Sequence, residues 1–170
     1  MKITIKLNDR SLRSAIKELE EVKLRIKRAQ ELIVDRLAEY GALRASLYYS
    51  VAQMNDDDVR PEISVVVDRS NMIATIYAKS KDVGFIEFGA GSRFASQQHP
   101  LNAEFGTGPG TWSDGPNGKG HWDDPKGWWY GASGQSKHTY GQPAAMAMYQ
   151  ASLDIQQETE RIVREVLMSV

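Results

Sequence analysis

The chain has 170 residues, enough for one domain with a substantial hydrophobic core. Its hydrophobic fraction of 41% and charged fraction of 25% are typical of a globular protein. A formal net charge of -1 gives no overall attraction to nucleic acid or to an anionic membrane. The absence of cysteine excludes disulfides, thiolate zinc sites and cysteine nucleophiles. No signal peptide and no membrane span is expected, because no apolar run approaches the roughly 20 residues that a span needs.

The first half of the chain predicts a short strand and then a long helix. Met1 to Leu7 alternates apolar and polar residues, as a half-buried strand does. Asn8, Asp9 and Ser11 offer helix N-caps. The pattern then predicts either one long helix from about residue 11 to residue 54 with a soft point at Gly41, or two helices joined at Gly41. Its apolar stripe comprises Leu12, Ile16, Leu19, Val22, Ile26, Ala29, Ile33, Leu37, Tyr40, Leu43 or Arg44, Leu47, Val51 and Met54.

The charged face of this helix allows two interpretations. A solvated outer face is the simpler one. The alternative is a basic strip that faces DNA, because the local basic residues outnumber the acids. These residues do not share one helix face, which weakens the second interpretation; they are Lys23, Arg25, Lys27 and Arg28.

A hairpin is predicted next, from strand-like runs at Glu62 to Asp68 and Met72 to Lys79. A third strand is expected over Val83 to Phe88. After a long loop, Pro143 suits the first turn of a helix that runs from Ala144 to Leu167. The order of strand, long helix, antiparallel strands and helix predicts an α+β fold, in which the two helices pack on a small antiparallel sheet.

The segment from Gly91 to Gln142 holds all four tryptophans, all three histidines and most of the glycines. Loops this long are uncommon inside compact domains, and disordered segments are poor in aromatics. We therefore expect a single domain over residues 1–170, with a core of 1–90 and 143–170. The loop insertion, residues 91–142, is expected to order against its own domain or a partner.

The insertion contains groups that could be read as catalytic or metal-binding, but none has a matching spacing. The histidines stand 22 and 17 residues apart, which matches no common ligand pattern. The serines form no nucleophile elbow, and GTGPG is not followed by the Lys-Ser or Lys-Thr of a phosphate-binding loop. No enzyme activity, cofactor or metal is therefore expected. The groups considered are His99, His121, His138, Asp114, Asp123, Asp124, Ser92, Ser96, Ser113, Ser133, Ser136, Gly106, Gly108 and Gly110.

The aromatic residues of the insertion leave three possibilities open. They could form a satellite core under their own loop, a protein interface, or a platform on which sugars or bases stack. The residues concerned are Trp112, Trp122, Trp128, Trp129 and Tyr130. Glu87, between Ile86 and Phe88, is expected either to face solvent or to pair with an arginine such as Arg93.

Three short segments together resemble the tail-completion, or head–tail joining, proteins of long-tailed bacteriophages. Gly41–Leu47 (GALRASL) resembles the family's Thr-Gly-x-Leu-Arg-x-Ser-Ile segment. Phe85–Gly91 (FIEFGAG) resembles its aromatic-x-Glu-Phe-Gly-Thr strand end. Gln142–Met146 (QPAAM) resembles the Pro-containing start of its C-terminal helix. The chain departs from the pattern in three ways: Tyr40 and Ala90 stand where the family often has Thr, and the insert from Ser92 to Gly141 is longer than in many members.

This resemblance implies a structural protein of the virion neck that completes the tail and joins it to the DNA-filled head. It implies a homo-oligomeric ring, commonly sixfold, around the DNA passage, with contacts to tail terminator, tail tube or head connector proteins. The protein would reside in the virion, and in the host cytoplasm during assembly, without a membrane partner. A carbohydrate- or nucleic-acid-binding module is the alternative. The interface candidates are Arg44, Phe85, Glu87, Phe88, Arg93, Trp112, Trp122, Trp128, Trp129 and Tyr130.

Overall fold

The computed structural model describes residues 9–54, 59–105, 125–130 and 137–170. The predicted strand at Met1–Leu7 and the tryptophans at 112 and 122 lie outside these residues. The described elements, in chain order, are α1 (Asp9–Val51), β1 (Glu62–Asp68), β2 (Ile73–Lys79), α2 (Val83–Phe88), a 3₁₀ segment (Ser92–Gln97), α3 (Asn102–Phe105), β3 (Trp128–Tyr130), β4 (Lys137–Thr139) and α4 (Ala147–Ser169).

The two long helices α1 and α4 pack against each other and run antiparallel. Arg44 of α1 pairs with Asp154 of α4, and Arg36 pairs with Glu165, so residue numbers rise on one helix as they fall on the other. Where α4 lies against it, α1 buries the small residues Ala38, Gly41 and Ala45, which let the backbones of neighbouring elements approach closely. The buried residues of α1 are Ala15, Ala29, Ala38, Gly41, Ala45 and Tyr49, and those of α4 are Ala147, Ala151, Ile162 and Val166.

The hairpin of β1 and β2 lies on α1, and both strands contact that helix. Its antiparallel register pairs Glu62 with Lys79 and Asp68 with Ile73. Asp68 closes the turn, because its carboxylate accepts bonds from the backbone and side chains of Ser70 and Asn71. A second, shorter hairpin joins β3 to β4. The α+β prediction of a long N-terminal helix, a C-terminal helix and small antiparallel sheets is therefore confirmed.

Several details differ from the sequence predictions. Val83–Phe88 is a helical turn, α2, rather than a third strand. A six-residue apolar run cannot be assigned from periodicity alone, and here its amides bond backwards, as Ile86 N does to Asp82 O at 3.0 Å. Pro143 precedes α4 by several residues instead of lying in its first turn.

Helix α1 is continuous through Gly41, so the alternative of two helices joined there is wrong. A Cβ at this residue would lie 2.6 Å from Ile76 Cδ1 and closer still to Ile155 Cδ1. A side chain here would force both isoleucine side chains to shift, because β2 and α4 both converge on this point of α1. In the first half of α1 much of the predicted apolar stripe is exposed; the exposed members there are Leu12, Ile16, Leu19 and Ile26.

Candidate functional site

The core closes at a junction where α2 meets the start of α4. The backbone of α2 holds the approach to α4 directly, since Ala145 N donates to Ile86 O at 2.8 Å and Met146 N donates to Glu87 O at 3.2 Å. Just beyond α2, Ala90 and Gln142 exchange two backbone bonds of 2.9 Å. Residues far apart in sequence are thereby fixed side by side. We call the cluster of Glu87, Tyr49, His99 and the first turn of α4 the helix junction.

Glu87 is the centre of the helix junction, and it is only 6% exposed. Its carboxylate accepts a bond from the Tyr49 hydroxyl at 2.8 Å. It also accepts bonds from the backbone amides of Met148, at 3.0 and 3.2 Å, and Tyr149, at 3.1 Å. A carboxylate is favourable here because the free amides and the dipole of a helix N-terminus both stabilise negative charge.

Glu87 takes the place of a local N-cap for α4. The residue before the helix, Met146, has a left-handed backbone with φ 54° and provides no side-chain cap. Helix N-termini normally receive such a bond from Ser, Thr, Asp or Asn in the same segment. The cap of α4 comes instead from α2, 61 residues upstream of Met148. The start of α4 therefore depends on tertiary structure.

His99 is the third side chain of the helix junction and is also buried. Its Nδ1 accepts the amide of Leu101 at 3.1 Å, so in the neutral ring the proton lies on Nε2. That Nε2 stands 3.5 Å from Glu87 Oε1. The ring packs against Phe88, with centroids 4.4 Å apart, and edge-on to Tyr149 at 5.3 Å. These contacts hold the His99 ring in one position relative to Glu87, Phe88 and Tyr149.

Burial raises the pKa of the Tyr49 hydroxyl well above its ordinary value, and the neighbouring carboxylate of Glu87 adds to the effect. Both causes disfavour a second negative charge in the same small volume. Tyr49 is therefore held as a neutral donor to Glu87. Its backbone carbonyl also accepts a bond from Arg60, which ties the chain after α1 to the same junction.

A second polar cluster links α1 to α4 about one helical turn from the helix junction. Arg44 Nε donates to Asp154 Oδ2 at 2.5 Å, and Arg44 Nη2 donates to the Tyr48 hydroxyl at 2.8 Å. Tyr48 in turn donates to the same carboxylate oxygen at 2.8 Å. The bond from Arg44, followed by that from Tyr48, lowers the pKa of Asp154, and the bond to Asp154 raises the pKa of Arg44. The cluster fixes the register between the two helices.

A groove of about 450 Å³ opens beside the helix junction. Three consecutive residues of β2 line it, together with the first turns of α4 and with Val83 and Gly84 of α2. Glu87 and His99 lie at its polar end, and most of the rest is apolar. The lining residues from these elements are Ile76, Tyr77, Ala78, Met148, Tyr149 and Ser152.

The second hairpin carries a row of aromatic rings at the surface. Trp129 is half exposed and lies edge-on to His138 at 5.1 Å, and His138 lies edge-on to Tyr140 at 4.9 Å. The Arg93 guanidinium stands 5.0 Å above the Tyr140 ring. Trp128 differs, because its ring lies so close to Gly91 that a Cβ there would come within 3.0 Å of it. Trp128 thus packs within the insertion, while Trp129 remains accessible. The described part of the insertion packs on its own domain through His99, which contacts Phe88 and Tyr149.

The structure separates the predicted interface residues into internal and surface groups. Glu87 neither faces solvent nor pairs with Arg93, so both sequence interpretations of it were wrong. The reason is that its partners lie 38 and 61 residues away in the chain. Arg44 is engaged with Asp154 and Phe88 packs on His99. Phe85, Arg93 and Trp129 are exposed. Tyr130 lies in β3, and Trp112 and Trp122 fall outside the described residues.

Sequence reasoning missed the partners that make these clusters, namely Tyr49, Tyr48, His99 and Asp154. Tyr48 lies one helical turn after Arg44, a spacing that could have suggested their contact. Nothing local points to the long-range partners.

Within the described ranges no group of three or more His, Asp or Glu side chains is arranged to hold a metal ion. His99 and His138, two of the histidines considered as ligands, have different neighbours. No helix among the described residues combines the length and apolar character that crossing a membrane requires. The chain matches no protein-family model, no curated protein and no solved structure.

Proposed function

We propose that this chain is a structural protein of the bacteriophage neck, which assembles as a ring to complete the tail and join it to the filled head. One observation carries the proposal beyond the sequence resemblance. The three segments that resemble the tail-completion family are scattered over the sequence, at Gly41–Leu47, Phe85–Gly91 and Gln142–Met146. In the fold they lie beside one another, around the first half of α4.

Each meeting point involves residues of those segments or of the helix that follows them. Arg44, from the first segment, pairs with Asp154 of α4. Glu87, from the second, caps α4 directly after the third. Ala90 bonds to Gln142, which joins the second segment to the third. Short motifs are expected to occur together in a family if their residues contact one another in the fold. The contacts between the three segments therefore support the view that their resemblance to the tail-completion family is not a coincidence.

The proposed role needs surfaces for neighbouring subunits and neck proteins. Phe85 is exposed directly beside the buried Ile86 and Glu87, so the same short helix supports the core and presents an aromatic side chain outside. Arg93 and Trp129 are exposed on the insertion, which is where contacts to other virion proteins would form.

The direct test removes the coding sequence of this chain from a phage that carries it and restores the protein from a plasmid. Electron microscopy of the lysate without the plasmid is expected to show filled heads and tails that are not joined, and the plasmid should restore joined particles. A plasmid variant Phe85→Ser should restore joining poorly, while Arg164→Ala, on the exposed face of α4, should restore it fully. Joined, infectious particles in the absence of the protein would refute the proposal.

The aromatic row favours a second candidate, a module that binds a sugar or an unpaired base by stacking. Trp129, His138 and Tyr140 form adjacent accessible rings, and Arg93 adds a positive charge beside them. Stacking on such rings contributes about 1–3 kcal/mol per base.

Tryptophan fluorescence during titration with oligosaccharides and with single-stranded DNA tests this candidate. Saturable binding that Trp129→Ala abolishes would favour it. Trp128→Ala is not an equivalent test, because Trp128 packs against Gly91 and its loss would disturb the hairpin. A flat titration with both ligands would leave the neck role as the sole candidate.

A further inference from the structure

The main sheet has only two strands, and this gives it two edges. β1 and β2 each have seven residues and pair along their whole length. No third strand joins this sheet among the described residues. In an antiparallel pair about half of the backbone N–H and C=O groups point away from the partner strand. Each edge therefore offers a row of such groups, which is a template for pairing with another chain.

The edge of β2 borders open space. Ile76, Tyr77 and Ala78 all line the groove beside the helix junction. Successive side chains of a strand point to opposite faces of the sheet, so a cavity that three consecutive residues line is best explained by a groove along the strand edge. The groove thus lies next to β2, and residues of α2 and of the first turns of α4 also line it.

The two edges carry opposite charge. β1 contains Glu62 and Asp68 and no basic residue, whereas β2 contains Lys79 and no acidic residue. All three are exposed. The outer face of the hairpin also leaves Val66, Ile73 and Tyr77 half or more exposed. The chain therefore carries an acidic and a basic edge of equal length beside an exposed apolar face.

We propose that β1 of one copy pairs with β2 of the next, antiparallel and head to tail, so that the sheet continues from subunit to subunit. The inference rests on the proposed function for its biological setting, the ring. In the register that the hairpin already uses, Glu62 of the neighbouring copy lies opposite Lys79, and its Val66 lies opposite Thr75 and diagonal to Tyr77. Such a contact uses two different patches per subunit, which is the head-to-tail geometry that a ring requires.

The symmetric alternative is disfavoured by charge. If two copies of β1 paired antiparallel about Val65, Glu62 of each copy would lie opposite Asp68 of the other. Like charges directly opposite each other destabilise an antiparallel pair. Pairing of β1 with β2 avoids this and brings unlike charges together.

The natural absence of cysteine makes a clean cross-linking test possible. Full-length Ser64→Cys and Thr75→Cys proteins, one carrying a size tag, are mixed and treated with a short bis-maleimide. Each variant has its thiol on one strand only, so any product that contains both variants joins two copies. Ser64→Cys mixed with Ser14→Cys is the matched control, because Ser14 is exposed on α1 away from the hairpin.

The expected result is about tenfold more mixed dimer from Ser64→Cys with Thr75→Cys than from the control pair, because contact raises the local thiol concentration. A predominant Ser64→Cys homodimer would mean symmetric pairing and would overturn the inference. Yields equal to the control would also overturn it. If the strand pairing were overturned in this way but the deletion phage still failed to join heads and tails, the neck proposal would stand. A mixed dimer together with normal joining in the deletion phage would refute the neck role alone.

Discussion

The carboxylate of Glu87 is buried among donors that have no other acceptor in the described structure. Replacing it with alanine leaves the Tyr49 hydroxyl and the amides of Met148 and Tyr149 without their partner. Each unsatisfied buried group costs about 1–3 kcal/mol. Because these losses overlap in one site, we expect Glu87→Ala to lower the free energy of unfolding by about 3 kcal/mol, measured by urea denaturation.

Glu87→Gln is the matched control, since it keeps the shape and one acceptor oxygen but loses the charge that the helix N-terminus favours. It should cost about half as much as alanine, while Tyr49→Phe should cost about 1 kcal/mol. If Glu87→Ala unfolded at the same urea concentration as the unsubstituted chain, the capping role would be wrong.

Asp68 gives the hairpin turn a dependence on pH. Bonds from Ser70, and then from Asn71, lower the pKa of its carboxyl to about 2. A carboxyl in an unfolded chain titrates near pH 4, so the folded state favours the charged form. The stabilisation is fully present above pH 4 and is lost as the pH falls from about 4 to 2.

Thermal unfolding at a series of pH values measures this effect. The Asp68→Asn variant should be less stable than the parent at pH 6, and the difference should shrink as the pH approaches 2. A difference between the two proteins that stays constant across this range would contradict the argument.

At the scale of elements, α1, β2 and α4 converge at Gly41. Alanine there would gain about 1 kcal/mol of helix propensity, but the added methyl would overlap both Ile155 and Ile76. Overpacking costs about 1–3 kcal/mol, so Gly41→Ala should be net destabilising by about 1 kcal/mol. A double-mutant cycle with Ile155→Val, which removes the overlapping Cδ1, should show that alanine is tolerated better in the valine background. Purely additive effects would mean that the three elements do not compete for this space.

The long elements could be predicted from the sequence because their signals are local. α1 has an apolar repeat that extends for many turns, and the hairpin has two β-branched runs separated by a short polar turn. α4 likewise has a wide apolar stripe. Each of these patterns is repeated within the element itself, so single exceptions such as Gly41 did not hide it.

The short elements and the helix junction could not be predicted in the same way. A run of six residues such as Val83–Phe88 is too short for periodicity to distinguish helix from strand. The role of Glu87 depends on Tyr49 and on the start of α4, neither of which is near it in sequence. Met146, which precedes α4 with a left-handed backbone and offers no side-chain cap, gives no start signal either. The cap that α4 lacks in its own sequence comes from Glu87 through a tertiary contact.

Across the whole molecule, α1 is much longer than its partner α4. Arg36 pairs with Glu165, and α4 ends at Ser169, so about the first 20 residues of α1 extend beyond it. An isoleucine in the part of α1 that extends beyond α4 should therefore contribute less to stability than one in the contact between the two helices. Ile26 is exposed and Ile162 is buried.

We expect Ile162→Ala to cost about 3 kcal/mol of unfolding free energy and Ile26→Ala no more than about 0.5 kcal/mol. Hydrogen exchange should agree, with amides after Arg36 in α1 more protected than those before Arg28, because isolated helices are marginal in water. Equal costs for the two substitutions would show that the projecting part of α1 is packed in solution.

The dependence of α4 on a distant cap has a consequence for how the protein is made. The ribosome releases α1, the hairpin and α2 well before α4, since Met148 follows Glu87 by 61 residues. At about 5–20 residues per second, the nascent chain spends on the order of several seconds with Glu87 and Tyr49 in place and no helix to receive them. During this time Ile86 and Tyr49 lack Ala147, their buried neighbour from α4, so this core cluster is completed only after α4 has left the exit tunnel.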